Sequence, residues 1–365
     1  MTVYNFCAGP AMLPKEVMQK VQSELLDWQN TGCSVMEMSH RSPEFIEVYE
    51  QAVAGLKSLM KIPDDYSVLF MQGGGRGQFS SVPLNLKKNG KAHYVTTGLW
   101  SEDAVVEGNK FLTVEEQDCR VVVNGKTSIL PLAEWNVSEE SDFIHYCLNE
   151  TVDGIEIFES ANQLLVTRDV PRVIDMSSNI LSRVIDVTDY DLIYAGAQKN
   201  IGPSGMAIVI INNALLNRSS ESVPTFLNYA ITKAKDSMYN TPPTFAIYLS
   251  KLVFDWLQKN GGVEAIEQKN RDKAAILYQA IDNSELYENR VAEQNRSLMN
   301  VTFYLKDESL NQCFIDEAKA NGIVAIEGHR SVGGMRASIY NAMPIEGVKA
   351  LVEFMKTFEL KHKTK

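Results

Sequence analysis

The stretch TDYDLIYAGAQKNIGPSG, residues 188–205, decides the fold. Asp191 to Ala195 reads as a short buried strand, because four apolar residues sit between a polar entry and a small-residue exit. Gly196 and Ala197 let the chain turn away, Gln198-Lys199-Asn200 occupies the loop, and Gly202-Pro203-Ser204-Gly205 turns it back into the apolar run Met206 to Ile211. One lysine, Lys199, is thereby presented at a strand end between two buried strands. An amine held in a partly apolar place is easier to deprotonate, which a lysine needs before it can attack an aldehyde. The plainer reading is a surface lysine on a hairpin loop, and the rest of the chain decides between the two.

Working outward, Val68-Leu69-Phe70-Met71 is a strand, Gln72-Gly73-Gly74-Gly75-Arg76-Gly77 a glycine-rich turn, and Gln78 to Leu86 a helix. His93 to Thr97, Arg120 to Val123, Phe143 to Leu148 and Val173 to Met176 read as further short apolar strands between helical or irregular stretches. Such alternation predicts an α/β fold with a mainly parallel sheet flanked by helices. Upstream, a helix is expected from Pro14 to about Asn30, with Val17, Val21, Leu25 and Trp28 on one face, and a second from Ser42-Pro43, with Phe45, Ala52, Leu56 and Leu59 buried. Downstream, Pro242-Pro243 opens a helix from Thr244 to Gln258, and a long helix runs through Leu277. Strands at Leu298–Tyr304, Ile323–Glu327 and Met335–Tyr340, with helices at Leu310–Ala320 and Ile345–Phe358, form a smaller C-terminal α+β unit. The expected division is an N-terminal segment, residues 1–15, a large domain, 16–265, and a small domain, 266–365.

With 45% hydrophobic and 22% charged residues, the chain has the make-up of a globular protein, which excludes disordered and fibrous classes. No apolar run reaches the length of a membrane span and the N-terminus lacks signal-peptide character, so a cytoplasmic location is expected. A net charge of −11 disfavours nucleic acid and acidic membranes as partners, and an anionic substrate would need a local basic pocket. Cys7, Cys33, Cys119, Cys147 and Cys313 show no CxxC or metal-ligand spacing, so they read as reduced thiols, and no metal is expected.

The glycine loop can offer backbone N–H groups and a helix N-terminus to a phosphate, although GGGRG matches neither the dinucleotide fingerprint nor the P-loop. Asp175 closes the strand VPRVID where ligands usually approach an open α/β sheet; alone, it would read as a turn or capping residue. Its distance from Lys199, about one strand–connection–strand unit, lets both reach a shared crevice. That arrangement suits a carboxylate pairing with a pyridinium nitrogen while the lysine holds an aldehyde carbon.

Eight stretches, NFCAGPAMLP, FMQGGGRGQF, TTGLWS, NETVDG, the strand end at Asp175, AGAQKNIGPSG, MYNTPPT and EGHRSVGGMRASIYNA, occur in the order seen in one family. Over nearly its whole length the chain resembles the phosphoserine aminotransferase family of the class V aminotransferases, fold-type I enzymes that use pyridoxal 5′-phosphate. The resemblance implies that Lys199 carries the Schiff base and shuttles the proton, and that Asp175 keeps the pyridine nitrogen protonated. It implies further that Trp100 stacks on the ring, Thr151 bonds the phenolic oxygen, and Gln198 with the backbone of Gly75 and Arg76 holds the phosphate. Asn240 and Thr241 would reach that phosphate from the second subunit of a homodimer.

Three basic clusters in this acidic chain would by the same resemblance surround the substrate. Arg336 would take its α-carboxylate, and His40-Arg41 with His329-Arg330 its phosphate. The implied reaction exchanges the amino group between O-phospho-L-serine and 2-oxoglutarate, giving 3-phosphohydroxypyruvate and L-glutamate, in serine biosynthesis. The longer phosphorylated substrate of pyridoxine biosynthesis, 4-phosphohydroxy-L-threonine, is a further candidate. Two positions depart from the family picture: Ala8 replaces a frequent Ser, and Gln72 replaces a familiar His before the glycine loop. A lyase or desulfurase on the same fold would need a mobile cysteine near the lysine, and no cysteine sits in a suitable Gly- or Ser-rich loop. A nucleotide-binding module built on the glycine loop would carry no chromophore.

Overall fold

The computed structural model describes residues 2–362. Seven strands form the central sheet: β1 (Tyr66–Gln72), β2 (Lys91–Thr96), β3 (Thr113–Asp118), β4 (Ile144–Cys147), β5 (Arg172–Asp175), β6 (Leu192–Gly196) and β7 (Met206–Asn212). Their spatial order is β1-β7-β6-β5-β4-β2-β3. β7 runs antiparallel to both its neighbours, and the other pairings are parallel. The sheet is therefore mainly parallel, as the alternating pattern predicts. Both faces are covered, which is why its inner strands read as continuous apolar runs rather than alternating ones.

Helices α1 (Lys15–Glu24), α2 (Pro43–Met60), α3 (Gly74–Leu86), α4 (Leu99–Gly108) and α5 (Tyr229–Ala234) lead to α6 (Thr244–Lys259) and α7 (Gly262–Asp282). On one face, Ala52 and Leu56 of α2 and Val253 and Phe254 of α6 share a core with Phe70, Ile174 and Ile193. On the other, Phe79 and Val82 of α3 and Ala104 of α4 pack on Tyr94, Val173 and Tyr194. α2 begins at Ser42, whose hydroxyl accepts the Phe45 N–H, with Pro43 at the first helical position where its missing N–H costs nothing.

α7 joins two cores: Val263 and Ile266 belong to the large one, Ala274, Leu277 and Ile281 to a second. That second core lies under an antiparallel sheet of β8 (Tyr287–Glu288), β9 (Asn300–Leu305) and β10 (Met335–Ser338), with α8 (Asn311–Ala320) and α9 (Ile345–His362). The N-terminus joins it too. Tyr4–Asn5 pairs in parallel with Ile323–Val324, and Phe6 is fully buried in the second core.

Four expectations need correction. The first helix ends at Glu24, not near Asn30: Asp27 is extended at φ −147° and its carboxylate accepts the Gly32 N–H at 2.8 Å, and Gln29 and Asn30 are left-handed at φ 50° and 61°, so the chain beyond Glu24 is not α-helical. Trp28 still reaches the core, but from a 3₁₀ turn, while Leu25, expected on the same buried face, lies just past the helix and is exposed. Arg120–Val123 lies outside the main sheet; it pairs with Lys126–Ile129 in a hairpin turned by Asn124 and Gly125, both at positive φ. The strand in the sheet is Thr113–Asp118 (TVEEQD), whose edge position leaves it partly exposed and too polar to show an apolar pattern. The strand expected over Ile323–Glu327 is only Ile323–Val324, paired with the N-terminus.

Candidate active site

The carboxyl ends of β1, β5 and β6 converge on a cavity of about 260 Å³. Gly75, Arg76, Trp100, Thr151, Asp175, Gln198 and Lys199, seven of the residues singled out in the sequence, all line it.

Lys199 is buried, and its Nζ donates to Thr151 Oγ1 at 2.6 Å. Burial pushes the amine down to about 8, against the nearby Asp175 carboxylate, which pulls it back. Asp175 closes β5 and is buried as well; desolvation raises its carboxyl, opposed by Ser177, Lys199 and Tyr194. The Ser177 N–H donates to Asp175 Oδ1 at 2.7 Å, and Ser177 Oγ accepts the Gly196 N–H at 2.9 Å. Ser177 thus ties the acid to the end of β6, from which the lysine loop departs.

Trp100 is placed by two carboxylates. Glu150 Oε2 accepts the Trp100 N–H and Glu150 Oε1 the Ser101 N–H, both at 3.0 Å, while Asp153 Oδ2 accepts the Leu99 N–H at 3.0 Å. These are the first N–H groups of α4, which have no acceptor within the helix. Burial pushes the Glu150 carboxyl up to about 7, with Asp153 adding to the rise and the Ser101 and Trp100 donors opposing it. A Cβ at Gly98 would lie 2.4 Å from Asp153 Oδ2 and 2.7 Å from Glu150, so only glycine admits both carboxylates. The indole face then stands 5.6 Å from Lys199 Nζ and 4.9 Å from the Arg76 guanidinium carbon. Because Thr151 lies between Glu150 and Asp153 in sequence, one loop sets both the indole and the lysine's hydrogen-bond partner.

The start of α3 forms another wall, where Gly73 and Gly74 take φ of 99° and 66°. A Cβ on Gly75 would lie 3.0 Å from Ser177 Oγ. Bare backbone there leaves the first N–H groups of α3 beside the cavity. Asn149 Oδ1, Trp100 Nε1 and Gln198 Oε1 are buried with no hydrogen-bond partner among the described residues. An amine, a carboxylate, an aromatic face and a glycine-built helix start around one cavity fit a phosphorylated pyridine aldehyde.

The substrate candidates are less gathered. Arg336, on β10, is partly buried, its Nε has no partner among the described residues, and its charge lowers the Lys199 pKa. His40 and Arg41 precede α2, and Arg41 is exposed. His329 Nδ1 accepts the Ser331 N–H at 3.3 Å, and Arg330 is exposed. Neither pair lines the cavity. Asn240 and Thr241 are exposed outside it, where Gln72 Nε2 donates to the Thr241 carbonyl at 3.0 Å. The Ala8 carbonyl accepts the Tyr340 hydroxyl at 2.8 Å.

Sequence reasoning missed Ser177, Ser178 and Asn149, which also line the cavity. Asn149 heads the recognised NETVDG stretch and Ser177 stands two residues beyond Asp175, so position relative to the flagged residues was the available signal. The five cysteines form no disulfide, and Cys119 and Cys147 are buried. Among the described residues, no helix is long and apolar enough to cross a membrane.

Residues 3–351 match the family described as Aminotransferase class-V. The phosphoserine aminotransferase of Pseudoalteromonas translucida (strain TAC 125) is 55% identical over 359 residues, 98% of this chain and 99% of that one. The phosphoserine aminotransferase of Bacillus circulans subsp. alkalophilus superposes with a TM-score of 0.93 at 41% identity, covering 98% of this chain and 99% of that one. A PLP-bound phosphoserine aminotransferase from Trichomonas vaginalis gives 0.90 at 36%, covering 97% and 99%. The protein belongs to the class V aminotransferases and, within them, to the phosphoserine aminotransferases.

Proposed function

We propose that the protein is a pyridoxal 5′-phosphate-dependent aminotransferase that exchanges the amino group between O-phospho-L-serine and 2-oxoglutarate. The observation that carries this reading is the buried pair of Lys199 and Asp175 facing one cavity. When bound, the cofactor supplies an aldehyde for the amino group and a ring that accepts the electron pair released at the substrate Cα. With the cofactor bound, Lys199 would hold that aldehyde between turnovers and would carry the proton at the substrate Cα, a role favoured by the burial that already lowers its pKa. Thr151 orients the amine, and with the cofactor bound Asp175 would keep its ring nitrogen protonated while Trp100 would shield one ring face from water. Gln198 and the N–H groups of Gly75 and Arg76 hold the phosphate.

Arg336 takes the substrate carboxylate, and His40, Arg41, His329 and Arg330 the substrate phosphate. We further read the active unit as a cytoplasmic homodimer whose second subunit contributes Asn240 and Thr241. Support comes from the exposure of both residues outside their own cavity, near the exposed apolar side chains Phe226 and Tyr239. The test is spectroscopic: the purified protein with pyridoxal 5′-phosphate should show a visible band that glutamate bleaches and 3-phosphohydroxypyruvate restores. A colourless protein that gains no band from added cofactor sinks the reading.

A further inference from the structure

From the wall of the cavity a path of hydrogen bonds leads out through the small domain and returns to the lysine. Asn149, two residues before Thr151, donates from Nδ2 to Ser178 Oγ at 2.7 Å and to Asn300 Oδ1 on β9 at 2.9 Å. Asn300 Nδ2 donates in turn to Ser338 Oγ on β10 and to Tyr340 Oη, both at 3.0 Å. The Tyr340 hydroxyl donates to the Ala8 carbonyl at 2.8 Å, and three residues further on the Ala11 N–H donates to the Gln198 carbonyl, also at 2.8 Å. Gln198 precedes Lys199, whose Nζ donates to Thr151 Oγ1, so the path closes into a ring.

The directions of these bonds are forced. A carbonyl only accepts, so the single hydrogen of Tyr340 goes to Ala8 and its oxygen must accept from Asn300. Likewise Ser178 donates to the Asn149 carbonyl at 2.9 Å, so its oxygen must accept from the Asn149 side chain. Together they fix which end of each amide is nitrogen, leaving Asn300 Oδ1 to face Asn149 Nδ2. Both hydrogens of each amide are spent, and Asn149, Asn300, Ser338 and Tyr340 are all buried, so deleting one member strands another without its partner.

The ring is tight around the lysine. A Cβ on Gly9 would stand 3.7 Å from Lys199 Cγ, and the Asn341 N–H donates to Asn200 Oδ1 at 3.0 Å, so both sequence neighbours of Lys199 are held from outside their own loop. Arg336 stands on β10 two residues before Ser338 and shares its face. Resting on the function proposed above, we propose that Asn300 and Tyr340 are positioning residues for the amino transfer, through which the small domain fixes the Lys199 amine between Thr151 and the Gln198 peptide, in register with the strand that carries Arg336. A displacement of about 1 Å in a reacting group costs roughly a hundredfold in rate, and a four-carbon stem has the freedom to make it.

The experiment labels the full chain, freed of cofactor, with acetic anhydride and follows each lysine by peptide mass spectrometry. In Tyr340→Phe, which removes one oxygen and keeps the ring, Lys199 should be acetylated roughly tenfold faster, the scale of one lost hydrogen bond. Lys273 is the internal control: it is buried beneath the same turn, donates to the carbonyls of Ile339, Tyr340 and Met343, and should stay as protected as in the wild type. Ser338→Ala removes an equally buried partner of Asn300 that lies off the ring, and should leave Lys199 protected. In the holoenzyme, Tyr340→Phe should lower kcat and kcat/KM together by roughly ten- to a hundredfold, as expected when a group misplaced for the reaction still leaves substrate binding intact. Asn300→Ala should act in the same direction and carries the test should Tyr340→Phe fail to fold. Unchanged Lys199 labelling, or equal deprotection of Lys273 or by Ser338→Ala, overturns the inference and leaves the proposed function standing. A wild-type protein that takes up no pyridoxal 5′-phosphate overturns the function, and with it this role.

Discussion

Lys199 Nζ stands 2.6 Å from Thr151 Oγ1 in a site that keeps most water away, so its proton is held by one hydroxyl and one nearby carboxylate. With its pKa lowered from 10.5 to about 8 in the native protein, the unfolded chain binds a proton between those values that the native one lacks. Stability of the cofactor-free protein should therefore rise with pH across that window, by at most about 1.4 kcal/mol per pH unit. Denaturant titrations at several pH values should show this slope in the wild type and not in Lys199→Met. Parallel curves would mean that the amine is solvated. Lys199→Ala should also lower transamination by roughly a hundred- to ten-thousandfold, the range for a positioned acid–base group.

Gly98→Ala should cost about 1–3 kcal/mol, the usual range for overpacking. Its Cβ would meet Asp153 and Glu150, side chains pinned by the first turn of α4 and unable to step aside freely. Because that turn carries Trp100, cofactor affinity measured by fluorescence titration should fall as well. A variant with wild-type unfolding midpoint and affinity would show that the loop yields.

The basic residues should divide the substrates between them. Arg336→Leu should raise the Michaelis constants for both phosphoserine and glutamate, because every amino-acid substrate presents an α-carboxylate. Arg330→Leu should raise that for phosphoserine by roughly ten- to a hundredfold, one charge-assisted hydrogen bond, and leave glutamate much less affected. Steady-state titration of both substrates on each variant decides. Equal effects of Arg330→Leu on the two would remove the residue from the phosphate site.

Hybrid dimers test subunit sharing. Lys199→Ala and an Asn240→Ala/Thr241→Ala double variant, each inactive alone, should regain partial activity on mixing, since some hybrids carry one intact site. No recovery under conditions that demonstrably exchange subunits would place both residues outside the site.

What the chain discloses before folding depends on whether a residue's neighbours in space are also its neighbours in sequence. The lysine loop, the glycine turn and the strand end at Asp175 are local patterns, and each lies where its pattern predicts. Thr113–Asp118 escaped because an edge strand needs no apolar face, whereas Arg120–Val123 has the apolar content of a core strand and spends it on an exposed hairpin. Tyr194 was visible only as one apolar letter in DLIYA. Its hydroxyl gains meaning from His145, which sits two strands away across β5, an adjacency that the order of the sequence does not disclose.

The pairing of Tyr4–Asn5 with Ile323–Val324 sets an order on the birth of the protein. During synthesis Tyr4–Asn5 emerges well before its strand partner Ile323–Val324, and Tyr340, which donates to the Ala8 carbonyl, comes later still. The large core can form before that, since domains fold as their residues appear. The Ala11 N–H donates to the carbonyl of Gln198, immediately before the lysine. The wall around Lys199 is therefore closed by a segment, Tyr4 to Ala11, whose own anchors lie more than about three hundred residues further along the chain, so the site draws on both the large core and the small one.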